Sequence, residues 1–322
     1  MTTRIRLGAR RSPLAVAQAE HIADALRALG AEVEVVGIDT QGDTDRRHLT
    51  QIGGTGIFAA AVREGLLGGR IDVAVHSMKD LPTAPVPGLR IGAVPVREDT
   101  RDVLIGSTLA GLAAAPRETP LRVGTGSPRR QLQLARYAAA TGARLEFTPI
   151  RGNVDTRLDL VRTGTVDATV LAAAGLRRLG RLTGAPGAEV LAGFAGPWEL
   201  LPVSVLLPAA GQGALAVEIR DEPGEIADLV ARLEDPLARA RVTAEREFLR
   251  TIEAGCLAPV GVHVESGADL TLTAVIGRTV ASTGVTTDPD RAVQLSASAP
   301  MAQARVLGET AAQRALAQLR AR

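Results

Sequence analysis

Cysteine occurs once and lysine once in this chain, and aromatic residues make up only 2% of its 322 positions. A single thiol excludes an intrachain disulfide and any cysteine-cluster metal site. Four scattered histidines without a spaced partner add no ligating pattern, so no metal is expected. So few rings leave little for stacking on bases, and a net charge of +2 is small for this length although the pI is about 9.3. Nucleic acid is not an expected partner. No apolar run approaches the roughly 20 residues a membrane-crossing helix needs. The opening residues run straight into an alternating strand pattern with no apolar segment before it, so no secretory signal is expected. The cytoplasm is the expected compartment. What the chain does have is ordinary globular composition, 46% hydrophobic and 22% charged, at a length that allows two or three domains.

The first half alternates strand and helix patterns, the signature of an α/β fold. Residues 4–8 read as a strand. Ser12 caps a helix with Pro13 at its first position and Leu14, Ile22, Leu26 and Leu29 on its apolar face. Gly30 stops it before a strand at 31–38. Residues 57–67 read as helix and 71–75 as a buried strand. The same order then returns. Leu7-Gly8 before Ser12-Pro13 corresponds to Val123-Gly124 before Ser127-Pro128, followed by a helix to about 140, a stop at Gly142 and a strand at 144–148. Gly69-Arg70-Ile71-Asp72-Val73 likewise corresponds to Gly164-Thr165-Val166-Asp167-Ala168. Two similarly built α/β lobes facing each other across a cleft follow from this repeat. Residues 180–202, rich in Gly, Ala and Pro, read as a loop excursion, and 215–219 as a further strand. A helix at 236–253, strands at 260–264 and 270–276, and an amphipathic helix at 302–319 form a small C-terminal α+β domain. The expected division is 1–98 with 212–232, then 99–211, then 233–322.

Helix N-termini carry unsatisfied N–H groups and a partial positive charge, and here they also carry arginines. Arg10 and Arg11 precede the first Ser-Pro start, Arg129 and Arg130 follow the second, and Arg151 with Arg157 brackets a third; Arg177 and Arg178 lie further on. Taken singly, each reads as a solvated surface group. Their shared placement points to a ligand with several carboxylates, which guanidinium binds in a bidentate fork. Lys79 is the lone lysine among 37 basic residues, and a surviving ammonium in an arginine-drifted chain marks a place that needs a compact donor. It stands in His76-Ser77-Met78-Lys79-Asp80, after a buried strand, where open α/β sheets bind ligands. Asp80 is the one acid of this basic set and a candidate acid/base or counter-ion to a developing cation. His76 reads as structural. Cys256, between Gly255 and a nearby Pro259, reads as a reachable loop thiol. Gly53-Gly54-Thr55-Gly56 lacks dinucleotide and P-loop spacings.

Together these pieces resemble the hydroxymethylbilane synthase (porphobilinogen deaminase) family. The motifs are Arg10-Arg11-Ser12-Pro13-Leu14-Ala15, Val75-His76-Ser77-Met78-Lys79-Asp80 and Gly124-Thr125-Gly126-Ser127-Pro128-Arg129-Arg130-Gln131. They continue with Arg151-Gly152-Asn153-Val154-Asp155-Thr156-Arg157-Leu158, Pro208-Ala209-Ala210-Gly211-Gln212-Gly213-Ala214 and Gly255-Cys256. The resemblance implies three domains, the first two built like the lobes of solute-binding proteins. It implies a transferase of porphyrin, tetrapyrrole and heme biosynthesis, with a dipyrromethane cofactor in thioether linkage to Cys256. On it four porphobilinogen molecules are condensed head to tail with loss of ammonia, and the linear tetrapyrrole is released by hydrolysis. By motif position Asp80 would be the catalytic carboxylate. Arg10, Ser12, Lys79, Thr125, Ser127, Arg129, Arg130, Arg151, Arg157, Arg178 and Gln212 would line the cofactor and substrate cleft, with Phe58 in a loop over it. A monomer with porphobilinogen as its small-molecule partner is the expected state. The chain departs from many relatives in having Gln51 and Thr55 where they place lysines, and 180–202 is longer than the compact family pattern. A carboxylate-binding solute receptor would share the two lobes but has no need of the Asp80 and Cys256 motifs. A regulator on the same lobes would want a helix-turn-helix before residue 4, where there is no room.

Overall fold

The computed structural model describes residues 2–39, 57–116, 118–253, 259–277, 279–280, 286–287 and 291–321. The chain begins with β1 (Arg4–Arg10), α1 (Pro13–Ala28), β2 (Glu32–Ile38), α2 (Ile57–Leu67) and β3 (Val73–Ser77). A 3-10 turn (Met78–Asp80), β4 (Leu89–Ala93), β5 (Asp102–Ile105), α3 (Leu109–Ala113), β6 (Leu121–Gly124) and α4 (Pro128–Thr141) follow. Then come β7 (Leu145–Thr148), α5 (Val154–Arg162), β8 (Ala168–Ala172), α6 (Ala173–Arg178), β9 (Leu182–Thr183), β10 (Val190–Leu191) and β11 (Trp198–Leu200). The last part holds β12 (Leu215–Arg220), α7 (Glu225–Ala231), α8 (Pro236–Thr251), β13 (Val260–Ser266) and β14 (Leu270–Ile276). It ends with β15 (Thr279–Val280), β16 (Thr286–Thr287), β17 (Val293–Ala299) and α9 (Ala304–Ala321).

Two five-stranded sheets, β2-β1-β3-β12-β4 and β7-β6-β8-β5-β11, share one topology. In each, three strands run parallel and the fourth is antiparallel to both its neighbours. The sequence repeat survives as register: Leu7 and Gly8 pair with Val73 and Ala74, as Val123 and Gly124 pair with Ala168 and Thr169. The repeated aspartates have a common task. Asp72 accepts from the backbone N–H and guanidinium of Arg6, and Asp167 does the same for Arg122, tying two parallel strands at their entry. The antiparallel strands are exchanged along the chain, since β12 follows the second lobe in sequence but lies between β3 and β4 of the first. The chain therefore crosses between lobes twice, through 94–101 and 201–214. A third body packs α8 and α9 on the antiparallel sheet β13-β14-β17 around Phe248, Leu272 and Leu307.

Local chemistry explains the element ends. Ser12 caps α1 by accepting from the Ala15 N–H at 3.4 Å, with Pro13 at the first helical position. Gly142 ends α4 in the left-handed region at φ 75°, and Asp235 caps α8 from the Ala238 N–H at 2.6 Å. Several expectations are corrected. The strand expected at 71–75 begins at Val73, because Ile71 packs its side chain under Gly8 rather than joining the ladder. Leu14 and Leu29 are only half-buried, and Gln18, Ala19, Ile22, Ala23 and Leu26 form the buried face of α1. The excursion at 180–202 is not only loop: it contains β9, β10 and the edge strand β11, paired with β5. Ser127 starts α4 without a side-chain capping bond.

Candidate active site

Between the lobes lies a cleft of about 670 Å³ whose lining draws on both sheets and the second crossing segment. From the first lobe, Arg10 ends β1, Ser12 caps α1, and Lys79 and Asp80 leave β3 on the 3-10 turn. Gln18, buried in α1, donates to Ser77 Oγ at 2.8 Å and accepts from it at 3.0 Å, locking the strand end that carries the turn. Gly211 supports the turn from the other side. It sits at φ 70°, and a Cβ there would stand 2.6 Å from Met78 Cγ. From the second lobe come Arg130 in the first turn of α4, Arg151, Asp155 and Arg157 around the Asn153-capped start of α5, and Arg178 at the end of α6. Gln212 enters from the second crossing segment.

The structure thus gathers Arg10, Ser12, Lys79, Asp80, Arg130, Arg151, Arg157, Arg178 and Gln212 on one cleft. It does not place Thr125, Ser127 and Arg129 on its lining. Thr125 is buried and its Oγ1 accepts from the Ser127 N–H at 3.2 Å, so both residues build the turn into α4. Arg129 turns inward, pairing with Asp102 at 2.8 Å and donating to the Leu207 carbonyl at 2.7 Å. Its fork is already occupied. Cys256, Gln51, Thr55 and the glycine turn at 53–56 lie outside the described residues, as does the side chain of Phe58. His76 stands 3.3 Å from Glu218, which Arg63 also holds in a bidentate pair.

Asp80 is not the only acid here. Asp155 lines the cleft and pairs with Arg181 at 2.7 Å, and Asp102 lies fully buried behind it. Asp102 meets Arg129, Arg130 at 2.7 Å and the Gln212 amide at 3.1 Å. Burial pushes the Asp102 carboxyl up, but Arg129, Arg130 and Lys79 outweigh burial and hold it well below the usual carboxylate range. A lone acid at the head of the apolar run Val103-Leu104-Ile105 was the sequence signal for such a buried pair. Lys79 is half-buried and lines the cleft. Burial lowers its pKa, Asp80 and Asp102 pull it back up, and Arg130 and Arg129 push it down.

Six cationic side chains face two carboxylates on the lining. Two of the six have only carbonyl partners among the described residues. Arg157 Nε donates to the Gly152 carbonyl at 3.0 Å, and burial with nearby Arg130 brings its pKa down to about 10. Arg178 donates to the Gly213 carbonyl at 2.7 Å and is lowered by burial, with Glu98 opposing. Both stay charged at neutral pH, because guanidinium keeps its proton in proteins. Partly desolvated cations with no carboxylate in contact among the described residues fit a ligand that brings its own carboxylates.

Comparison with known proteins agrees with this geometry. Residues 5–228 match the profile "Porphobilinogen deaminase, dipyromethane cofactor binding domain", and residues 239–317 match "Porphobilinogen deaminase, C-terminal domain". Porphobilinogen deaminase 1 of Streptomyces avermitilis is 48% identical, over 97% of this chain and 95% of that protein. Porphobilinogen deaminase 1 of Streptomyces coelicolor is 49% identical, over 92% and 88%, and the porphobilinogen deaminase of Acidothermus cellulolyticus is 48% identical, over 90% and 86%. Matched across both lobes and the C-terminal domain, this chain belongs to the porphobilinogen deaminase family.

Proposed function

We propose that the chain is a hydroxymethylbilane synthase, condensing four porphobilinogen molecules head to tail with loss of ammonia and releasing the linear tetrapyrrole by hydrolysis. The observation that carries this reading is the cationic cleft, with half-buried Arg157 and Arg178 that contact no carboxylate among the described residues, and exposed Asp80 on the same lining. Porphobilinogen is a dicarboxylate pyrrole, so a chain of such units presents carboxylates at each step. The same cations fit the dipyrromethane, itself a polycarboxylate, and Lys79, Ser12, Arg10, Arg130, Arg151, Arg157, Arg178 and Gln212 are the residues that would hold it with substrate. Bound through Cys256, the dipyrromethane supplies the pyrrole carbon to which incoming units are joined.

The chain's own residues do the rest. Arginines on both lobes grip carboxylates and align the reacting pyrrole, converting an encounter into an oriented pair. Asp80 holds a negative charge beside the pyrrole that becomes electron-poor as ammonia leaves, and it stabilises that developing charge. It would also manage a proton at the leaving amine. Arg129 acts behind the lining by fixing Asp102, and Thr125 and Ser127 by shaping the entry to α4. The inferred division is 1–98 with 212–232, 99–211 and 233–322; the exchange of β12 and the two crossings support it. We also infer a cytoplasmic monomer acting on a free small molecule, without nucleic acid or membrane. No described helix is long and apolar enough to cross a bilayer. A solute receptor would explain the cations but not Asp80.

Two measurements test the reading. Purified protein should exceed its sequence mass by two linked pyrrole units, and Cys256→Ala should abolish the increment. Asp80→Asn should lower turnover by at least about a hundredfold, the scale of one lost preorganised contact, with the mass increment retained. Asp80→Glu should keep more activity than Asp80→Asn. An active enzyme of unmodified mass, or an Asp80→Asn variant with ordinary turnover, refutes the assignment.

A further inference from the structure

The turn that presents Lys79 and Asp80 is held from a third direction, by a helix far away in sequence. One face of α8 packs on the C-terminal sheet through Ala240, Ala244 and Phe248. Its other face meets the first lobe through Ala238 and Val242, in one apolar cluster with Met78 and Leu81. From this face Arg246 reaches the turn. Its Nη1 donates to the Leu81 carbonyl at 2.8 Å and lies 3.5 Å from the Met78 carbonyl, and its Nη2 donates to the Pro82 carbonyl at 2.8 Å. These carbonyls flank Lys79 and Asp80 on both sides.

A helical turn leaves its last carbonyls without partners, and a planar guanidinium is suited to collect several of them at once. The arrangement is costly for its charge. Burial lowers Arg246 to about 10, Arg63 acts in the same direction, and Glu218 opposes them from a distance. A half-buried cation that, among the described residues, donates only to backbone carbonyls is a poor device for stability alone. It is a good one for geometry, because the fork fixes three carbonyls of one turn relative to a rigid helix.

We infer that Arg246 is a positioning residue for Asp80: by clamping the carbonyls around it, α8 of the C-terminal domain sets where the carboxylate stands in the cleft. The inference rests on the reading of Asp80 as the working carboxylate. Arg246 is not among the described residues that line the cleft. Its effect on turnover must pass through the turn.

The test is a double-mutant cycle on the intact, cofactor-bearing enzyme. Arg246→Met and Arg246→Lys are made alone and together with Asp80→Asn, and kcat, KM, intact mass and thermal unfolding are measured. Alone, Arg246→Met should lower kcat by about tenfold or more, since a misplacement of about 1 Å costs up to about a hundredfold. KM should change by less than about threefold, because binding of the ground state is left in place. Arg246→Lys should recover part of the loss by reaching one carbonyl. In the Asp80→Asn background the same substitutions should change kcat by less than about twofold, because the group they position no longer acts. Melting temperature should fall equally in both backgrounds. If each Arg246 substitution costs the same factor with and without the Asp80 charge, the residue is structural only and the inference is overturned. Should Arg246→Met not fold, the Arg246→Lys cycle decides alone. An Asp80→Asn single variant with ordinary turnover sinks the reading of Asp80 itself, and the inference with it, and that result is separate from an additive cycle.

Discussion

Arg129 and Arg130 adjoin in α4, yet they point to different surroundings. Arg130 contacts Asp102 and the Val170 carbonyl while still reaching the cleft, whereas both ends of the Arg129 fork are held inside the second lobe. Arg157 has no carboxylate in contact among the described residues. Substitution by lysine separates these roles, because it keeps the charge and removes the fork. Arg129→Lys should lose one charge-assisted contact, about 1.5–3 kcal/mol of stability, and so lower the melting temperature by several degrees. Arg157→Lys should melt close to the parent but bind its ligand worse, read as a raised KM or slower cofactor assembly. An Arg129→Lys protein with unchanged unfolding would show that the buried pair contributes nothing. That Arg129 faces inward was not legible from its place at a helix start, since neighbours on a helix diverge by about a hundred degrees and only the packed lobe selects which one sees the cleft.

At the scale of elements, the crossing segment 201–214 is the one to test, because it brings Gly211, Gln212 and Gly213 against the turn that carries Lys79 and Asp80. Gly211 at φ 70° and Gly213 at φ 85° occupy the left-handed region, and a Cβ on Gly213 would stand 2.3 Å from the Glu98 carbonyl oxygen. The Met78 N–H donates to the Ala214 carbonyl at 3.0 Å, so this segment and the turn share a ladder bond. Gly211→Ala should cost about 1–2 kcal/mol for the left-handed backbone alone, and more if Met78 is displaced. Turnover should fall further than stability accounts for, because Met78 adjoins Lys79. Thermal unfolding and steady-state kinetics on one preparation check both parts. Equal turnover in a destabilised but folded variant would mean that the turn does not feel the segment.

For the whole molecule, the three bodies meet at Glu245 of α8. Its carboxylate holds Arg97 of the first crossing in a bidentate pair at 2.8 Å, accepts from the Gly211 N–H of the second crossing at 2.7 Å, and accepts from the Val264 N–H of the C-terminal sheet at 3.1 Å. His263 lies beside this junction, 3.8 Å from Glu245. Burial lowers the His263 pKa from 6.5, Glu245 opposes, and Arg97 adds to the lowering. Below pH 6.5 the unfolded chain then binds the proton more readily than the folded one. Stability associated with His263 is therefore present above pH 6.5 and lost as pH falls toward its folded value. Denaturant unfolding at a pH above and a pH below 6.5 should show this loss, and His263→Gln should reduce the difference between the two. An unchanged difference would assign the pH dependence to other groups.

Periodicity and caps were enough to establish the two repeated lobes, the Ser12-Pro13 and Pro236 helix starts and the amphipathic C-terminal helix, because those features depend on residues close in sequence. The chemical set at the cleft was legible as residue types, since arginines at helix starts and an acid after a buried strand each have a local reason. Contacts between distant segments were not. The antiparallel pairing of β12 with β3, the burial of Asp102 between Arg129 and Arg130, the inward turn of Arg129 and the clamp of Arg246 on residues 78–82 all join residues far apart in the chain. Local pattern carries no information about which distant carbonyl or carboxylate will be met. That choice is made by the packing of three bodies, where a buried charge persists only if the fold brings it a partner.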